Sequence, residues 1–85
     1  MMHPATQGGH MIARAIEEMM KLPQGAISVQ RSPVSSHTWF FATPRNGAAP
    51  VSTELSDYDM ANDHFGKLVS RIASGLESRL KEAVA

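Results

Sequence analysis

Asp57, Asp59, Asp63 and His64 are the densest set of ionisable side chains in the chain. Asp57 and His64 stand seven residues apart. On a helix that spacing returns to the same face and offers a carboxylate and an imidazole to a metal ion. The simpler reading is preferred: acids gather where a helix begins because the dipole is positive there, and His64 is solvated. His3 and His10, with methionines nearby, have the donor chemistry of a soft-metal site, but the segment has the composition of a loose tail. No metal site is assigned. Ser35, Ser36 and His37 bring hydroxyls beside an imidazole. Adjacent strand residues point to opposite faces, however, and no acid stands ready to orient the histidine. Gly8 and Gly9 precede a helix without the rest of a phosphate-binding pattern. No catalytic residue, cofactor-binding residue or cofactor is assigned, and the chain is expected not to be an enzyme.

The stretch "SSHTWFFATPRNG" holds the only tryptophan and two of the three phenylalanines. Strand alternation sends Trp39 and Phe41 to one face and Phe40 to the other. The expectation is that Trp39 and Phe41 fill the core while Phe40 lies on an open face. Phe40, with Arg31 and Arg45, is then the candidate surface for a partner. A second reading takes the same residues as a small-molecule site at a subunit interface, with Trp39 or Phe40 stacking and Arg31 or Arg45 holding an anionic group.

The elements that must position these residues follow from periodicity. Residues 1–9 contain Pro4, Gly8 and Gly9 and no apolar repeat, and are expected to be a flexible tail. Residues 10–85 form a single small domain. Ile12, Ala15, Ile16 and Met19 mark one face of a helix over 10–22, which "LPQG" ends. "AISVQ", the aromatic stretch and "PVSTELS" read as three strands, with Ile27 and Val29, and then Val51 and Leu55, on apolar faces. "PRNG" is turn chemistry between the second and third strands. Ser56 caps a last helix over 57–84 whose apolar stripe runs through Ala61, Phe65, Leu68, Val69, Ile72, Leu76 and Leu80. The predicted fold is α+β: a helix, a three-stranded antiparallel meander and a long C-terminal helix, with both helices on one face of the sheet.

This order is similar to that of double-stranded-RNA-binding domains, a resemblance of topology alone. That family meets phosphates with a lysine-rich start to its last helix, whereas here the matching segment is "SDYDMANDH". Eight basic and eight acidic residues cancel, so bulk charge gives no footprint for nucleic acid or for a membrane surface. No apolar run approaches a membrane span, and the N-terminus lacks the basic and apolar regions of a signal peptide. A cytoplasmic protein is expected.

With 85 residues and no cysteine, the domain has neither a large core nor disulfides, and association is the natural supplement. A helix over 57–84 would extend about 40 Å, past strands of about 17–20 Å. Leu76, Leu80 and Val84 are therefore expected to overhang the sheet and to pair with a second copy of the chain. The functional expectation is an interaction module: a small regulator, adaptor or inhibitor that acts as a homodimer or higher oligomer and meets another protein, without nucleic acid or membrane.

Overall fold

The computed structural model describes residues 4–32, 34–44 and 47–84. Its elements, in chain order, are α1 (Pro4–Met19), β1 (Ile27–Arg31), β2 (His37–Ala42), β3 (Val51–Ser56), α2 (Asp57–Asn62) and α3 (Phe65–Val84). The strands form an antiparallel sheet in the order β1-β2-β3. Helix α1 lies on β1, α3 lies on β3, and the two helices touch each other over the same face. The meander between two helices expected from the pattern is the observed architecture. Among the described residues no helix is long and apolar enough to cross a membrane.

Helix α1 begins at Pro4 rather than at residue 10, so its first turns come from the segment read as a tail. Proline suits a first turn, where its missing N–H has no partner to lose. The helix ends with Lys21 in the left-handed region at φ 57°. There Leu22 N–H donates to the Glu17 carbonyl at 2.8 Å and Lys21 N–H to that of Glu18 at 3.3 Å, the two bonds that satisfy a helix's last carbonyls. A clasp then fixes where the sheet starts. Glu17, nearly inaccessible, accepts from the backbone N–H of Gly25 at 3.0 Å and of Ile27 at 2.8 Å. Arg14 donates to the Ile27 carbonyl at 3.1 Å, and its Nε stands 2.9 Å from Glu17 Oε1, near enough for an ion pair though not aligned as a hydrogen bond.

The register of β2 corrects the assignment of the aromatic run. Ile27 pairs with Ala42, Val29 with Phe40, and Thr38 with Leu55, all on the helix side. Phe40, Thr38, Leu55 and Ile27 are fully buried with Ile12, Ile16, Ile72 and Leu76. Phe40 is thus the ring in the core, and Trp39 and Phe41 are the pair on the open face. The reason is the depth of the space between helix and sheet. A Cβ built on Gly9 would come within 2.8 Å of Val29 and 3.0 Å of Thr38, and within 3.7 Å of the Phe40 ring. A helix this close leaves room for one phenylalanine between small neighbours, and two large rings would force it away.

The single long C-terminal helix is also corrected. Ser56 Oγ accepts from Asp59 N–H at 3.1 Å and starts α2 as expected. The helix stops at Asn62, because Asp63 turns extended (ψ 152°) while its N–H still closes on the Asp59 carbonyl. Asn and Asp compete for backbone hydrogen bonds and break helices readily. The 20-residue α3 is about 30 Å long and lies within a body whose longest extent is 35 Å. Leu76 is fully buried inside the single chain, and Leu80 is half-buried against the same core. The expected overhang does not exist, because the break shortens the helix and α1 covers its inner face. Phe65, placed in the stripe by spacing, is instead exposed.

Alanine substitution separates the two registers. Phe40→Ala is expected to lower the unfolding free energy by about 3–5 kcal/mol. Trp39→Ala and Phe41→Ala each lose about 1 kcal/mol, the scale of a cross-strand pair. Urea denaturation followed by circular dichroism measures all three.

Candidate functional site

The face of the sheet away from the helices carries a central row from β2, His37, Trp39 and Phe41, flanked by Ser28 and Gln30 on β1 and by Ser52 and Glu54 on β3. Trp39 and Phe41 stack with ring centroids 6.5 Å apart and planes inclined by 26°. Both are half-buried by their neighbours and by each other, with their outer surfaces toward solvent. Gln30 stands directly across from Trp39 on one side and Glu54 on the other. Gln30 and Ser32 on one side, Trp39 and Phe41 in the middle and Ser52 on the other line a shallow depression across this row. An apolar strip bordered by hydrogen-bonding side chains is what a contact surface requires: rigid rings to exclude water and polar groups to set orientation.

A second concavity, of about 310 Å³, lies at the far end of the layers, where Met20, Leu22, Ala42, Pro44 and Leu80 meet under the Glu77–Lys81 pair. It is mostly apolar and holds no convergent set of polar groups.

The residues expected to make contacts are distributed differently. Phe40 is in the core. Arg31 projects to the helix side and grips Asp57 with two hydrogen bonds of 2.6 Å, one from each terminal nitrogen. These bonds push the Arg31 pKa above its already high ordinary value, so the guanidinium stays charged while bound to an acid. Arg31 therefore ties β1 to α2 and is not free to hold an anion. Arg45 lies outside the described residues, and so does the side chain of Val84. Leu76 and Leu80 belong to the core and its margin. Nothing matching this chain was found among protein-family models, curated proteins or solved structures.

The acidic segment is likewise accounted for by local structure. Asp57 pairs with Arg31, Asp59 with Arg71 at 3.2 Å and Asp63 with Lys67 at 3.4 Å. His64 falls in the break between α2 and α3 rather than on a shared helix face with Asp57. Among the described residues no group of three or more His, Asp or Glu is placed to hold a metal.

Glu54 was not singled out from the sequence. It is exposed and, unlike those of Asp57, Asp59 and Asp63, its side chain has no ion pair or hydrogen bond among the described residues. Its place beside Trp39 becomes visible only when the register of β2 is known. The signal that could have supplied that register is Gly9 with Ala13 four residues later, a small-residue row on α1 that permits close approach to the sheet.

Trp39 is the only tryptophan, so its emission reports on this face alone. Acrylamide is expected to quench it readily in the native protein, with little further gain in urea. Strong native shielding would return Trp39 to the core.

Proposed function

We propose that the chain is a non-enzymatic protein-interaction module of the cytoplasm, a small regulator, adaptor or inhibitor that meets its partner through the open face of the sheet. The observation that carries this reading is the outward Trp39–Phe41 stack on a face that neither helix covers. Aromatic rings held on a strand lose little entropy on binding, and tryptophan is among the residues that most often dominate an interface. Elsewhere Arg31 is occupied by Asp57 and Leu76 by the core.

Self-association remains part of the proposal, but the open sheet face is not assigned to it. The buried state of Leu76 removes the reason to place a dimer on the last helix. A second reading rests on the groove between Leu22, Pro44 and Leu80, whose size is at the lower end of small-molecule sites. A thermal-shift screen separates the two, since a ligand present at a hundred times its dissociation constant adds about 2.7 kcal/mol to stability.

Two measurements test the module. With wild type and Trp39→Ala as baits, both shown by circular dichroism to be folded at the temperature of the experiment, a protein retained by the first is expected to be lost with the second. Equal recovery on both baits overturns the assignment of the face. Duplex RNA and DNA are expected not to shift in gels at low salt, because the start of α2 presents Asp57 and Asp59 where a phosphate binder places ammonium groups. Micromolar binding that weakens steeply with salt overturns that part.

A further inference from the structure

Among the described residues, no lysine or arginine answers the one carboxylate on the open face. Of the described residues on it, only Glu54 is a carboxylate and none is a lysine or arginine. Glu54 is exposed and without an ion pair, while the other acids on the neighbouring elements, Asp57, Asp59 and Asp63, each hold a cation. It sits directly across from Trp39. Residues opposite each other in an antiparallel pair have Cβ atoms about 5 Å apart, so a Glu54 carboxylate can reach the edge of the indole. A cation laid on the tryptophan meets the ring's negative face and the carboxylate together. Arginine suits this arrangement best, since its planar guanidinium stacks and still presents N–H groups sideways.

We infer that the open sheet face receives a basic segment of another protein, with one arginine or lysine side chain stacked on Trp39 and paired with Glu54. The inference rests on the interaction reading above and names the chemistry of the partner. The charge pattern decides among occupants. A nucleic acid would bring phosphates to the only carboxylate on the described face. A second copy presenting the same face would bring another unanswered Glu54 and, among its described residues, no lysine or arginine. A basic segment supplies the missing cation. Gln30, across from Trp39 on the β1 side, and Ser52, across from Phe41, are placed to hydrogen-bond the backbone that carries it.

The test uses three extended synthetic peptides: alternating threonine and arginine, the same with glutamine for arginine, and the same with glutamate. Calorimetric titration gives affinity, and backbone amide shifts of β2 locate the contact. The arginine peptide is expected to bind, the other two not, and binding is expected to weaken from about 0.05 M to about 0.5 M salt. Glu54→Gln should weaken it by about fivefold, Glu54→Asp should retain most of it, and Trp39→Ala should lose about tenfold or more. Equal binding of the glutamine peptide, no effect of Glu54→Gln, or no binding of any peptide overturns the basic-segment inference. Binding that ignores charge yet disappears in Trp39→Ala leaves the interaction face standing. Arginine-peptide binding undiminished in Trp39→Ala removes both.

Discussion

The closeness of α1 to the sheet at Gly9 governs the rest of the architecture. With no side chain at that position, the helix backbone settles against Val29, Thr38 and the Phe40 ring. Core depth is then set for one aromatic ring between small or branched residues, and Phe40 fills it with Ala13, Ala42 and Thr38 around it. Trp39 and Phe41, one residue to either side, are sent outward by the pleat. The same contact that compacts the interior thus produces the aromatic strip on the exterior. Fold and candidate site are one constraint read from two sides.

The helices complete the interior in different ways. Helix α1 supplies Ile12, Ala13 and Ile16, and α3 supplies Leu68, Val69, Ile72, Ala73 and Leu76. Short ionic ties hold the intervening α2: Arg31 reaches Asp57 from β1, and Arg71 reaches Asp59 from α3. Partly solvated pairs of this kind add little stability individually. Their effect here is to occupy the acids of α2, Asp57 and Asp59, whereas Glu54 on the described sheet face holds no cation.

Much of the fold was legible because β1 and β3 alternate cleanly. Ile27 and Val29, then Val51 and Leu55, each oppose polar neighbours, and only one assignment buries them. Ser56 announced its cap for a similar reason, since its hydroxyl precedes a segment rich in acids. β2 gave no such contrast: "HTWFFA" is apolar on both faces, and ring size alone favoured the wrong one. What decided it was a tertiary quantity, the helix-to-sheet distance, which β2 itself does not encode. The break at Asp63 was hidden because the apolar stripe continues in phase on both sides of it. The candidate site followed the register. A register that sends Phe40 outward buries Trp39 and so separates it from the open surface on which Glu54 lies.

The clasp at Glu17 has a consequence for how this chain can change. Its carboxylate holds amides at Gly25 and Ile27 while its own carbonyl receives Leu22. The connection from α1 to β1 is therefore measured from both ends, like a strap buckled at a fixed hole. Substitutions at its exposed positions leave the buckle fastened. Gaining or losing a residue between Leu22 and Gly25 would instead shift both amides together relative to the Leu22 cap, and a strand drawn after them would slide along β2. A one-residue slide there reverses the faces of β1, turning Ser28 and Gln30 inward. Length, more than composition, is the inherited property of that loop.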